Sequence, residues 1–171
     1  MLNKYEQAKF IIERFDHYYD TVNSKGSFYI GINTFILGGI CAGYITLYDK
    51  MHAPISLWLW IFLSLLFIFC ISSTLCTIMA ITPYSKDNHS GDNKASLMYF
   101  GGIAKHELCY FKEKFNEQDD QAILNDAIQQ AHSLAKGLEK KFKYLKWASY
   151  LLTTQYCIML PVLYLVFKNF N

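Results

Sequence analysis

Two groups of side chains have the residue types that bind an anion. Asn23, Lys25 and Ser27 stand directly before a long uncharged stretch, and they supply an amide, an ammonium and a hydroxyl. Lysine is a compact cation that suits phosphate. Lys25 is therefore either an anion contact or an anchor whose ammonium reaches the lipid headgroups. The second group is a set of lysines near the end of the central polar segment: Lys136, Lys140, Lys141 and Lys143.

The same residues fit two kinds of partner. The lysines either pair with lipid phosphates or enclose a small phosphate ligand, with Tyr99 and Phe100 offering aromatic faces for base stacking. The candidate ligand-binding set is Asn23, Lys25, Ser27, Tyr99, Phe100, Lys136 and Lys140.

Motifs of catalysis and cofactor binding are missing from the sequence. It has no GxxxxGK[ST], HExxH or GxSxG, and its five histidines and five cysteines show no metal-ligand spacing. The net charge of +2 gives no reason to expect a nucleic acid partner. We therefore expect a binding protein with no catalytic residue, metal site or cofactor.

Three stretches carry no charged residue, namely 28–48, 57–81 and 147–167. Crossing a bilayer as a helix takes roughly 20 apolar residues, and a chain of 171 residues is too short to surround three such helices with protein. The sequence predicts an all-α membrane protein in which three transmembrane helices extend into a small cytosolic helical bundle.

Basic residues predict the orientation of the spans, because lysine and arginine collect on the cytoplasmic side. Segment 1–27 carries four basic residues and segment 83–146 carries ten lysines. The loop between the first two spans has only Lys50, and the tail has only Lys168. We expect a multi-pass protein of the bacterial inner (plasma) membrane, with a cytoplasmic N-terminus and an external C-terminus.

Apolar spacing predicts the helices outside the bilayer. Segment 1–27 is expected to be an amphipathic helix that runs into the first span, with its apolar stripe at Tyr5, Ala8, Ile12, Phe15, Tyr19 and Val22. In segment 83–146, a polar loop follows Pro83, and Gly101-Gly102 argue against a straight helix over 96–115.

One long helix is predicted from Asp120 through the last span to Phe167, bent near Pro161. Asp119 or Asp120 can cap its beginning. Its expected buried stripe is Ile123, Ala127, Ala131, Leu134, Leu138, Phe142 and Leu145.

Small and polar residues inside the spans predict helix contacts. "GGICAG" places Gly39 and Gly43 one turn apart, which allows close helix packing either between copies of the chain or within it. The polar residues of the spans are expected to hydrogen-bond between helices, or alternatively to line a water path. They are Asn33, Thr34, Ser72, Ser73, Thr74, Thr77, Thr153, Thr154 and Gln155.

The order of these features resembles the transmembrane effector family of the Pycsar anti-phage systems, over roughly 5–167. The resemblance is carried by "NSKGSFYIGINTFIL", "SLMYFGGIAKHE" and "AHSLAKGLEKKFKYLKWASYLL". The family pattern D-x-K-A-S is matched by Asn23, Lys25, Gly26 and Ser27. The pattern L-x-x-F-G-D-I is matched by Leu97, Phe100, Gly101, Gly102 and Ile103. The pattern L-A-x-x-x-x-x-K-[YF] is matched by Leu134, Ala135, Lys141 and Phe142. Asn23 and Gly102 stand where the family usually has Asp.

The resemblance implies a specific function. A partner cyclase would make a cyclic pyrimidine mononucleotide, cyclic CMP or cyclic UMP, and the effector would bind it on the cytosolic side. An oligomer would then permeabilise the inner membrane and cause abortive infection. The alternatives are a membrane scaffold or accessory subunit, or a small channel, without a nucleotide ligand.

Overall fold

The computed structural model describes residues 3–47, 53–83 and 96–170. Its helices are α1 (Lys4–Leu47), α2 (Ala53–Ile81), α3 (Phe100–Ile103), α4 (Leu108–Glu117) and α5 (Asp120–Phe170), and these described residues contain no strand. Three of the helices, α1, α2 and α5, are long and apolar enough to cross a membrane. The predicted all-α membrane fold with three long apolar helices is confirmed.

The chain divides into two compact units. The polar unit comprises Met1–Thr21 and Pro83–Lys140, and the membrane unit comprises Val22–Thr82 and Lys141–Asn171. Helices α1 and α5 each contribute residues to both units without a break. The exact limits of the bilayer-spanning parts, 28–48, 57–81 and 147–167, stay a prediction.

The first helix carries its apolar stripe on the inner face, as predicted. Ala8 and Val22 are buried, and the other stripe residues are half-buried. Within the polar unit, the Tyr19 hydroxyl donates a hydrogen bond of 3.0 Å to the Leu134 carbonyl. Tyr19 of the stripe thus contacts α5.

Residues 96–117 form two short helices rather than one. Ser96 Oγ accepts hydrogen bonds from the backbone N–H groups of Met98 and Tyr99 and so supports the beginning of α3. The two glycines lie inside α3, and the chain leaves the helix after Ile103. The expectation against a straight helix is confirmed, whereas the predicted polar loop at 84–95 lies outside the described residues.

The last helix is continuous over 51 residues, as predicted. Asp119 Oδ1 caps it by accepting a hydrogen bond of 2.7 Å from the Ala122 N–H. The predicted buried stripe is wrong at Phe142, which is 38% exposed. Lys141 takes the inner position, since residues 138, 141 and 145 also follow helical spacing. Pro161 lies inside α5, and a bend there stays a prediction.

Candidate functional site

A half-open cavity of about 730 Å³ lies in the polar unit between α4 and the first turns of α5. Its volume falls within the range of small-molecule sites, roughly 300–1,000 Å³. The lining mixes rings, amides and charges of both signs: Ser96, Leu97, His106, Tyr110, Lys114, Glu117, Gln118, Asp119, Ala122, Asn125, Asp126 and Gln129.

One wall of the cavity is fixed by a carboxylate of α5. Asp126 Oδ2 accepts hydrogen bonds from the N–H groups of Leu97, at 2.9 Å, and Met98, at 3.1 Å. Gly102 presses against the Ser96 carbonyl so closely that a Cβ would collide with that oxygen. The segment around Ser96 therefore has a defined position beside α5.

Aromatic and amide side chains both line the cavity. The rings of His106 and Tyr110 lie 4.5 Å apart between centroids, with an interplanar angle of 37°. Asn125 and Gln129 stand one turn apart on α5. Such rings can stack on a base, and each amide offers both a donor and an acceptor to a base edge.

The charges inside the cavity favour a ring over a phosphate. Lys114 Nζ donates a hydrogen bond of 2.7 Å to Glu117 Oε2, and this carboxylate raises the pKa of Lys114 above its ordinary value. The acids Glu117, Asp119 and Asp126 outnumber this one lysine. An anionic group therefore gains little from the cavity interior.

Cations continue along the same face of α5. Lys136 and Lys140 are exposed and lie seven and eleven residues beyond Gln129, which corresponds to about 10 Å and about 16 Å along the helix axis. Steps of seven and eleven residues return to one side of an α-helix. A ligand with a neutral ring in the cavity can therefore direct an anionic group along α5.

Lys141 lies in the membrane unit and differs from the other lysines of this run, which are exposed, because it is only 4% exposed. Its ammonium donates hydrogen bonds of 2.7 Å to the Ala80 carbonyl and 2.9 Å to the Thr82 carbonyl. These groups lie at the end of α2, where helix carbonyls lack intrahelical donors. Lys141 therefore caps α2, a role that its grouping with the other lysines did not predict.

Polar side chains connect the three helices inside the membrane unit. Asn33 Nδ2 donates a hydrogen bond of 3.2 Å to Ser73 Oγ, and Ser73 Oγ donates one of 3.2 Å to the Ala148 carbonyl. Gln155 Nε2 donates a bond of 3.2 Å to the Phe69 carbonyl. These contacts confirm the interhelix role expected of Asn33, Ser73 and Gln155. The expectation is wrong for five threonines, whose hydroxyls donate to carbonyls of their own helices: Thr34, Thr74, Thr77, Thr153 and Thr154.

Sequence comparison now identifies the family. The Pycsar effector protein domain matches residues 7–168, nearly the whole chain. The chain belongs to the Pycsar effector family. No curated protein and no solved structure matches it.

The predicted ligand residues of this Pycsar effector fall into both units. Tyr99, Phe100, Lys136 and Lys140 belong to the polar unit, and the rings of Tyr99 and Phe100 lie 4.7 Å apart. Asn23, Lys25 and Ser27 are exposed on α1 in the membrane unit. Their participation in ligand binding stays a prediction.

Sequence reasoning missed the cavity of the effector. His106, Tyr110, Asn125 and Gln129 are 23 residues apart at the extremes, and their pairwise i, i+4 spacing was the available signal. That spacing shows which residues share a helix face. It does not show that the faces of α4 and α5 meet around an open space.

The glycine motif of the effector has an open surface. A Cβ added at Gly39 or Gly43 would meet no atom of the described chain within 4 Å, apart from the nearby backbone of its own helix and its neighbours in sequence. Packing of these glycines within the chain is therefore not seen in the described residues. This arrangement leaves room for another helix.

Proposed function

We propose that this anti-phage defence effector is switched by a cyclic pyrimidine mononucleotide, cyclic CMP or cyclic UMP, made by a partner cyclase. Bound effector then permeabilises the bacterial inner membrane as an oligomer, and the infected cell stops before phage are released. The family implies a cyclic nucleotide signal. The finer steps are our proposal.

The observation that carries this proposal is the continuity of α5. This single helix borders the cavity at Asn125 and Gln129 and continues to Phe170 through the membrane unit. A ligand can shift a conformational equilibrium only by its differential affinity for the two states. Moving a population from 1:99 to 99:1 takes about 5.5 kcal/mol, which a ligand gripped by rings, amides and lysines can supply.

The pyrimidine base is assigned to the cavity. The faces of His106 and Tyr110 suit a ring, and the amides of Asn125 and Gln129 suit its hydrogen-bonding edge. The cyclic phosphate carries the negative charge and is assigned to Lys136, about 10 Å from Gln129 along the axis. Lys140 adds a second cation on this face.

The ligand residues predicted from the sequence remain part of this proposal as two separate groups. Asn23, Lys25 and Ser27 lie on α1 in the membrane unit, and the rings of Tyr99 and Phe100 lie together in the polar unit. Lys25→Ala is expected to reduce the nucleotide response more than membrane insertion. Equal loss of both would make Lys25 an anchor only.

Self-association is assigned to the glycine face of α1. Gly39 and Gly43 have space for a neighbouring helix, and small residues one turn apart let helix backbones approach in lipid. The polar unit is assigned to the cytoplasm by the lysine distribution. Labelling of tags at both termini tests this orientation, because the N-terminus should be protected and the C-terminus accessible from outside.

Reconstitution tests the whole proposal. Purified effector in liposomes with a potassium gradient is exposed separately to cyclic CMP, cyclic UMP and cyclic dinucleotides, and a potential-sensitive dye reports leakage. We expect depolarisation with a cyclic pyrimidine mononucleotide. If none of the nucleotides causes leakage, the proposal fails in favour of a membrane scaffold or accessory subunit.

Binding measurements on detergent-solubilised protein test the cavity. Tyr110→Ala should weaken binding of the active nucleotide by roughly tenfold or more, since one base stack contributes about 1–3 kcal/mol. Phe115→Ala is the matched control, because Phe115 is an exposed aromatic residue of the same helix outside the cavity lining. If both variants bound the nucleotide with equal affinity, the assignment of the base to the cavity would be refuted.

A further inference from the structure

The end of α2 in the membrane unit is held from two sides. On one side, Lys141 of α5 donates its ammonium hydrogens to the carbonyls of Ala80 and Thr82. Pro83 follows directly and has no N–H with which to continue the helix. The cation therefore satisfies carbonyls at the negative end of the helix dipole.

On the other side, α1 approaches α2 through a glycine. Gly26 is buried, and a Cβ at this position would collide with Cγ2 of Ile81 and lie 3.4 Å from Cγ2 of Thr77. The last turn of α2 thus fits between a glycine of α1 and a lysine of α5. Both contacts lie within the membrane unit.

We propose that Gly26 and Lys141 form a lock on the end of α2, which keeps the effector closed until the signal arrives. This proposal rests on the proposed function in one respect, because it assumes that the effector leaks when a nucleotide binds. It adds that the closed state depends on an identifiable contact, and that breaking this contact opens the effector without a nucleotide.

The chemistry of the contact suits a lock better than a permanent joint. Lys141, at 4% exposure, is the charged residue among the buried polar side chains of the described residues. When the contact breaks, the long side chain of Lys141 can place its ammonium in water or among lipid headgroups. An apolar side chain that leaves a packed contact has no polar partner to gain in this way. The contact can therefore break and re-form as a unit.

The position of Lys141 in the sequence connects the lock to the ligand. Lys136 and Lys140, the proposed phosphate contacts, precede it within two turns of the same unbroken helix. A rotation of α5 that brings these lysines to a phosphate also turns Lys141. Because its two acceptor carbonyls belong to α2 and the chain just after it, such a rotation strains the cap.

Proteoliposomes with a potassium gradient test the lock without any nucleotide. Lys141→Met keeps an unbranched side chain but removes the ammonium and both of its hydrogen bonds to α2 and Thr82. It should raise the basal leak by at least tenfold, since the loss of a single charge-assisted hydrogen bond already corresponds to a factor of about ten. Lys141→Arg retains a cationic donor and should stay near the wild-type leak. Lys146→Met is the matched control, since Lys146 is an exposed lysine five residues further along α5.

A second variant covers the case in which Lys141→Met does not insert. Gly26→Ala changes no charge but pushes α1 away from Ile81, and it should raise the basal leak in the same direction. Insertion of each variant is measured by its recovery in the liposome fraction. If both variants insert and neither leaks, or if neither inserts while Lys141→Arg does, the contact serves folding alone and the lock is refuted.

The outcomes separate the lock from the proposed function. A wild-type response to cyclic CMP or cyclic UMP combined with a silent Lys141→Met would refute the lock and leave the nucleotide switch. A leaking Lys141→Met combined with a wild-type protein that ignores every nucleotide would support the lock and refute the nucleotide switch.

Discussion

The two units of the effector distribute their polar groups in opposite ways. In the membrane unit, Asn33, Ser73 and Gln155 are at most 1% exposed, whereas Phe35 is 83% exposed. In the polar unit, the buried residues include Ala8 and Ala127, and the charged residues that the structure describes there lie at the surface or on the cavity wall. Lipid makes an exposed phenylalanine favourable and an exposed amide costly, and water does the reverse.

The two units therefore depend on different interactions for their stability. The membrane unit gains little from burying apolar side chains away from lipid, so interhelix hydrogen bonds and close packing must determine its arrangement. The polar unit has a small apolar core, and the carboxylate of Asp126 holds the backbone of Leu97 and Met98 by hydrogen bonds. Variants that disturb one of these interactions test the comparison. The largest loss of stability is expected where a new side chain would collide with a backbone atom, because the backbone has little freedom to move.

Gly102→Ala should be the most damaging of these changes. The new Cβ would collide with the Ser96 carbonyl, and since backbone cannot swing aside as a side chain does, we expect a loss of about 2–3 kcal/mol in the stability of the polar unit. Hydrogen exchange over 96–117 measures it. Gly101→Ala is the control, because its Cβ meets the ring of Tyr99, which can rotate, and wild-type protection in both variants would contradict the close packing.

The family pattern adds interest to this position. Gly102 stands where the resemblance places Asp, and an Asp side chain would need the space that the Ser96 carbonyl fills. The local backbone of this chain is therefore adapted to glycine. Substitution by the usual family residue is expected to destabilise the effector rather than to restore a contact.

Most of the fold was predictable because its signals are local. The uncharged stretches gave the three long helices, and apolar spacing gave the inner face of α1 and most of that of α5. Phe142 and Lys141 show the limit of this reasoning. Lys141 is buried and Phe142 is exposed because the ammonium of Lys141 binds the carbonyls of Ala80 and Thr82, about 60 residues away in sequence.

The candidate site was less predictable for the same reason. Asp126 contacts a backbone segment 28 and 29 residues earlier in the sequence, and no periodicity encodes that pairing. Sequence reasoning selected cations and aromatic residues by type and so reached Lys136 and Lys140. It could not find a cavity, because a cavity is a property of two helices together.

Asp126→Ala should produce the second largest effect. It removes the acceptor of the Leu97 and Met98 N–H groups, and the loss of bonds to a charged acceptor costs about 2 kcal/mol. Hydrogen exchange at residues 97–99 should increase while α2 stays protected. Asp126→Asn keeps an oxygen acceptor and should lose about half as much, whereas unchanged exchange in Asp126→Ala would assign the wall to other contacts.

Ser73→Val tests the membrane side of the comparison. The change removes the hydroxyl that accepts from Asn33 and donates to the Ala148 carbonyl, and the expected loss is about 1 kcal/mol. Unfolding by a denaturing detergent measures it, and a double-mutant cycle with Asn33→Leu isolates the pair. Thr34→Val is the control, because the Thr34 hydroxyl donates only along its own helix, to the Ile30 carbonyl. Additive losses in the cycle would show that Asn33 and Ser73 act independently.

Gly39→Ala should have the smallest effect on the fold and the opposite sign. Among the described residues, a Cβ at this position meets no neighbouring helix, and alanine in place of glycine stabilises a helix by up to about 1 kcal/mol. The same methyl group enters the surface proposed for self-association, so chemical cross-linking in liposomes should yield fewer oligomers. Gly39→Ala is thus expected to stabilise the monomer but to weaken self-association. Gly26→Ala, at a packed position, should instead destabilise the membrane unit itself. If Gly39→Ala instead destabilised the monomer, the glycine face would be a contact within the chain, and the assembly surface would have to lie elsewhere on the three helices.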